Sequence, residues 1–198
     1  MKKTLLAAAM IFASSSVMAA DGGQIDFNGL VQSGTCKVGV ADGGKQSITS
    51  DGVVTLNTAN VTDTFPEVSE TSVGLLPKEF KISVDCAPAS NGNASLTMSS
   101  ISFANTSGTL NNNMNVTVNG LSPAENVNIA VHNMTNQDGA PEIKQVHMND
   151  ASNVQSLKLD AQGDGQYLFN ASYVKAPSSS AVTAGHVTTN AMYTIIYN

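Results

Sequence analysis

The last fourteen residues, Gly185-His-Val-Thr-Thr-Asn-Ala-Met-Tyr-Thr-Ile-Ile-Tyr-Asn198, constrain the fold more than any other stretch of the chain. Ala191, Tyr193, Ile195 and Tyr197 alternate with Met192, Thr194, Ile196 and Asn198. This two-residue period marks a strand with one buried face, made from the aromatic and β-branched residues that strands favour. The alternation runs to Tyr197, the last residue but one. Chain ends fray unless a sheet holds them, so this end is expected to be structural. Its sheet neighbours are then expected to come from earlier segments or from another molecule.

The opposite end carries the three parts of a secretory leader. Lys2 and Lys3 form the positive start, Leu5–Ala13 the apolar run, and Val17-Met-Ala19 a small-residue cleavage site, with cutting after Ala19 or Ala20. The apolar run is too short for a membrane-spanning helix, and no membrane insertion is expected elsewhere. The 9 basic residues are all lysine against 15 acidic ones. Loss of Lys2 and Lys3 leaves seven against fifteen, a net charge near −8. A nucleic-acid partner would want a basic patch, which this chain does not have. About 178 residues remain after cleavage, enough for one domain with an extension. Few aromatics and abundant Ser, Thr, Asn, Gly and Val favour short strands joined by turns.

An exported chain meets an oxidising compartment, so Cys36 and Cys86 are expected to form a disulfide. The bridge would close a loop of about 50 residues, worth roughly 4 kcal/mol in the chain-entropy account. Zinc would need more soft ligands and a different spacing.

Between the two ends the chain reads as strands. Phe80, Ile82, Val84 and Cys86 alternate against Lys81, Ser83 and Asp85, and Tyr167, Phe169, Ala171 and Tyr173 share one face of Gln166–Tyr173. Ser95–Ser99, Met114–Val118, Val127–Val131 and Gln155–Leu159 are further strand candidates. Asp51-Gly52, between two alternating runs, predicts a hairpin. Asn57 to Pro77 reads as a long polar connection with Pro66 and Pro77 as breakers. Asn91-Gly92-Asn93, Asn119-Gly120, Asp138-Gly139 and Gly163-Asp-Gly165 are turn clusters. Strands at about ten-residue spacing with such turns indicate an all-β sandwich.

Three features together resemble a known family. Gly185 with a penultimate Tyr197 and alternating apolar residues between them is one. The amphipathic run Gly23-Gln-Ile-Asp-Phe-Asn-Gly29 is the second, and Cys36 within Gly34-Thr-Cys-Lys-Val38, seven residues after Gly29, is the third. The chain resembles the pilin subunits of chaperone–usher fimbriae, of the type-1-like, major-subunit kind. The resemblance implies an incomplete immunoglobulin-like β-sandwich, the pilin fold, lacking its seventh strand. It implies a leader over 1–19, a donor-strand extension over 20–28 and a pilin domain over 29–198. Gly23, Ile25 and Phe27 would face the groove of a neighbouring subunit, with Gly23 where the groove walls come closest. Gly185, Ala191, Tyr193, Ile195 and Tyr197 would form the terminal strand that a periplasmic chaperone and an outer-membrane usher recognise. Implied partners are identical or related pilins, the chaperone, the usher and, through the assembled fimbria, a host-surface receptor. The implied location is an extracellular fimbrium, reached through the periplasm. One departure is the short lead before Gly23, where Asp21 stands in place of a longer apolar segment.

No cofactor, metal or enzymatic activity is expected. His132, His147 and His186 have no local Ser/His/Asp or Cys/His context. Asp160-Ala-Gln-Gly-Asp-Gly165 starts like a calcium loop, but its twelfth position is Ala171 rather than a bidentate acid, so a turn is expected. Asn93-Ala-Ser95 and Asn170-Ala-Ser172 are chance triplets in so Asn-rich a chain. The competing readings are a minor adaptor or terminator subunit of the same kind of filament, or a secreted carbohydrate-binding β-sandwich.

Overall fold

The computed structural model describes residues 23–31, 37–42, 45–46, 51–86, 92–177 and 180–197. Among them the secondary structure is entirely β. The strands are β1 (Gly23–Val31), β2 (Lys37–Asp42), β3 (Lys45–Gln46), β4 (Gly52–Leu56), β5 (Leu75–Asp85), β6 (Asn93–Ser99), β7 (Leu110–Asn111), β8 (Val127–Thr135), β9 (Pro141–Gln145), β10 (Gln155–Lys158), β11 (Asp164–Lys175) and β12 (Val187–Tyr197). One sheet has the order β10-β6-β12-β1-β4 and the other β3-β2-β5-β11-β8-β7, with β9 also on β8.

Side-chain alternation builds the core between them. Phe80, Ile82 and Val84 of β5 and Tyr167, Phe169 and Ala171 of β11 face Ala94, Leu96 and Met98 of β6 and Ala191, Tyr193 and Ile195 of β12, all buried. The rings of Phe80 and Phe169 stack at 5.3 Å, and those of Tyr167 and Phe169 at 6.0 Å. Stacked aromatics contribute about 0.5–1.5 kcal/mol beyond their buried area.

Three sequence expectations are corrected by the structure. Asp51-Gly52 makes no hairpin: Gln46 of β3 pairs with Ala41 in one sheet, whereas β4 pairs with β1 in the other. The chain therefore changes sheet between these strands. Gly52 serves a close approach, since a Cβ there would lie 2.3 Å from Cγ1 of Val40. Pro77 is not a breaker but lies inside β5. It sits where the register against β11 shifts between Ala171 and Tyr173, a bulge that leaves no ladder bond for proline to spoil. Met114–Val118 is an exposed loop, because Asn113 turns the chain by accepting the Asn115 N–H on its Oδ1 at 3.0 Å. Val118 then bridges only to Leu121, around Asn119 and Gly120 at φ 50 and 80. The strand expected over Val127–Val131 is present as β8 and is buried without interruption from Val127 to Asn133. On its outer face Nε2 of His132 meets Ser69 O of the 57–74 segment at 2.7 Å, and Nδ2 of Asn128 donates to Oγ1 of Thr109 at 3.2 Å.

The cysteine strands lie side by side, with Lys37 of β2 opposite Asp85 of β5. Cys86 is buried; Cys36, and with it the expected bridge, lies outside the described residues.

Candidate functional site

The terminal strand β12 is bounded on one side by β6, antiparallel, and on the other by β1. β1 runs parallel to β12, with Gly23 opposite Val187, Ile25 opposite Thr189 and Phe27 opposite Ala191. On its other edge it runs antiparallel to β4, with Gly23 opposite Leu56 and Phe27 opposite Gly52. β12 and β4 do not pair with each other. The position between them is thus a strand-wide slot, and the amino-terminal segment of the chain occupies it. Gly23, Ile25 and Phe27 fall in register with core-facing positions of β12, since Val187, Thr189 and Ala191 are all buried.

Ala191, Tyr193 and Ile195 are fully buried along the slot, while Tyr197 is partly buried at its end. Met192 and Ile196, on the alternate face, are 38 % and 59 % exposed. Burial pushes the Tyr167, Tyr193 and Tyr197 phenols above their ordinary range, and for Tyr193 the Asp51 charge adds to the shift. All three rings therefore stay neutral, and this part of the core presents no ionised phenol. Among the described residues the hydroxyls of Tyr167 and Tyr197, Oγ1 of Thr189 and Nε2 of His186 are buried without a hydrogen-bond partner.

Gly185 stands at the entry to β12. A Cβ there would lie 2.5 Å from Ala124 N and 2.5 Å from Ser122 O. The glycine lets the 122–124 segment clamp the strand: His186 N–H donates to Ser122 O at 3.0 Å, and Ala124 N–H donates to His186 O at 2.9 Å. Asn112 locks the clamp by donating from Nδ2 to both Ala124 O and His186 O at 2.8 Å, and its Oδ1 accepts the Thr188 N–H at 2.8 Å. Sequence reasoning marked Gly185 but missed Asn112, whose three bonds reach residues 12 to 76 positions away. Beside this end of the slot lies an apolar cleft of about 190 Å³ whose walls include Val61, Phe65, Tyr173, Val182 and Val187.

The histidines do not converge on one site. His132 and His147 both meet the 57–74 segment, at Ser69 O and at Oε1 of Glu70 respectively, the latter at 2.8 Å. His186 belongs to the clamp on β12. Asp160 forms a turn, its Oδ1 accepting the N–H groups of Gln162 and Asp164 at 2.9 Å each. Among the described residues no group of three or more His, Cys, Asp or Glu side chains could hold a metal ion.

A family model described as Fimbrial protein matches residues 25–198. A comparison with curated proteins gives no match.

Proposed function

Since the chain belongs to the fimbrial protein family, whose members are structural subunits of surface appendages, we propose that it polymerises head-to-tail by donating residues Gly23–Asn28 to the slot of the next subunit. The observation that carries this reading is the slot itself: a strand position between β12 and β4 filled only by a segment from the amino terminus. A strand held solely by its two neighbours is exchangeable in principle for the same segment of another copy. This is strand addition to a sheet edge, in which main-chain hydrogen bonds supply affinity and alternating side-chain positions supply specificity. Burying Ile25 and Phe27 contributes roughly 1.5–3 kcal/mol each, and each new ladder bond about 0.5–1.5 kcal/mol. The sum rivals the stability of a whole domain, so a completed exchange is long-lived. Donation from subunit to subunit does not close on itself and yields a filament.

On this reading residues 1–19 are a leader, 20–28 the donor extension and 29–198 the pilin domain. Cys36 and Cys86 form a disulfide, supported by the opposition of the adjacent residues Lys37 and Asp85. Before assembly an open slot would expose unpaired edges and apolar surface, a hazard for aggregation. A periplasmic chaperone covers it by pairing alongside Gly185–Tyr197 and hands the subunit to an outer-membrane usher. The apolar cleft at the Gly23 end of the slot offers the incoming segment a first contact, which the short lead with Asp21 would otherwise lack. As an abundant repeating unit the chain contributes the shaft of the fimbria, and any host receptor is met by the assembled fibre.

The test is Phe27→Asp. An ionised carboxylate facing an apolar slot is strongly unfavourable, so the variant is expected to be exported and oxidised normally but to give no heat-resistant polymer on denaturing gels. Polymer at the wild-type level would refute the assignment of the donor segment.

A further inference from the structure

A second cleft, of about 360 Å³, opens between the loop following β7 and the segment leading into β8. Its size falls within the range of small-molecule sites. Six asparagines contribute to its lining, and no charged side chain among the described residues does. Three of the six are spent on the fold. Asn112 locks the β12 clamp as described, Nδ2 of Asn128 donates to Oγ1 of Thr109 at 3.2 Å, and Nδ2 of Asn126 donates to Ala181 O at 2.9 Å.

The other three are arranged differently. Oδ1 of Asn111 accepts from Nδ2 of Asn105 at 2.8 Å, and Oδ1 of Asn113 accepts the Asn115 N–H at 3.0 Å. With both oxygens engaged the amide planes are set, and the two NH2 groups are left without a partner among the described residues. The Asn115 side-chain amide, a donor and an acceptor, is unpartnered as well. Phe103 and the half-exposed Met114 supply apolar surface beside these amides.

The chemistry narrows the ligand. An anion would want a positive charge, which the cleft does not offer on a chain of net charge −6. A purely apolar ligand would strip water from three amides and give nothing back. A neutral ring bearing hydroxyls accepts from the fixed NH2 groups, bonds both ends of Asn115 and lays its C–H face on Phe103 and Met114.

We propose that this cleft binds a neutral saccharide through one pyranose ring, held by Asn111, Asn113 and Asn115. The cleft borders the Gly23 end of the β1 slot, since Asn113 N–H donates to Thr188 O of β12 at 2.8 Å and Ala124 and Val127 line both clefts, but saccharide binding there does not depend on donor-strand exchange. The test is titration of the purified, isotope-labelled protein with D-mannose, D-galactose, D-glucose and N-acetyl-D-glucosamine, followed by the side-chain amide signals and by saturation transfer to the sugar. Glycerol, inositol and acetate serve as controls. At least one sugar is expected to shift the Asn111, Asn113 and Asn115 amides saturably, with a Kd of about 0.1–10 mM. Asn113→Ala combined with Asn115→Ala is expected to weaken binding at least tenfold, while Ser156→Ala, in a separate cleft, leaves it unchanged. If loss of the Asn113 turn bond disturbs the fold, Asn115→Ala alone and Met114→Ala carry the test, because neither side chain makes a hydrogen bond within the described residues. The proposal is overturned if no sugar saturates below about 10 mM, if the variants bind as tightly as the parent, or if glycerol and inositol move the same amides equally.

Discussion

Replacing Gly185 by alanine adds one methyl group at the entry to the terminal strand, and the structure sets its consequence. The new Cβ would sit 2.5 Å from Ala124 N, 2.5 Å from Ser122 O and 2.6 Å from Pro123 C. All three are main-chain atoms, so no side-chain rotation relieves the overlap and the 122–124 segment must move away. Two backbone hydrogen bonds depend on its position, His186 N–H to Ser122 O and Ala124 N–H to His186 O. At about 0.5–1.5 kcal/mol each, their loss costs about 1–3 kcal/mol. Overpacking adds a further ~1–3 kcal/mol. We predict a destabilisation of about 2–6 kcal/mol, which for a chain of this length lowers Tm by some 4–24 °C. Urea unfolding of the purified protein measures it, and hydrogen exchange at the His186 and Ala124 amides shows whether the clamp has opened. A change under about 0.5 kcal/mol, within the range of an ordinary surface substitution, would refute the argument that close backbone approach is what requires glycine here.

Deleting Tyr193–Asn198 removes the buried Tyr193 and Ile195 and is expected to abolish capture by the chaperone; co-purification at the normal yield would count against the proposed recognition strand. If Cys36 and Cys86 are bridged, Cys86→Ser is expected to cost roughly 4 kcal/mol, and mass spectrometry of the parent should detect no free thiol. Burial lowers the His132 pKa below its ordinary value, against the opposing hydrogen bond to Ser69 and charge of Glu70. The unfolded chain therefore takes up this proton at higher pH than the folded one. The stability is fully present above pH ~6.5 and is lost as pH falls from there through the lowered folded-state value. His132→Gln keeps a donor for Ser69 O but cannot titrate, so the acid-side fall in Tm should be shallower; an unchanged pH profile would show that His132 does not set it.

Local alternation was enough to identify most strands and their inward faces. Phe80, Ile82 and Val84, Tyr167 and Phe169, and Ala191, Tyr193 and Ile195 all point where their two-residue period places them, because a strand's two faces are defined by the residues themselves. Family membership was legible for a similar reason, since the motifs around Gly23–Gly29, Cys36 and Gly185–Tyr197 are short and sequential. Period alone carries no information about which sheet a strand joins. Thus Gly52 looked like a hairpin turn when it marks a crossing over Val40, and Met114–Val118 looked like a strand where Asn113 turns the chain away. β8 is buried on both faces, with partners from segments far away in sequence such as Ser69, 63 residues before His132. The need for glycine at 185 follows from the main chain of residues 122–124, and the slot for β1 exists because β12 and β4 never meet. Strand faces are written in neighbouring residues; sheet order, close approach and the slot arise from packing between segments far apart in the chain, which only the folded structure brings together.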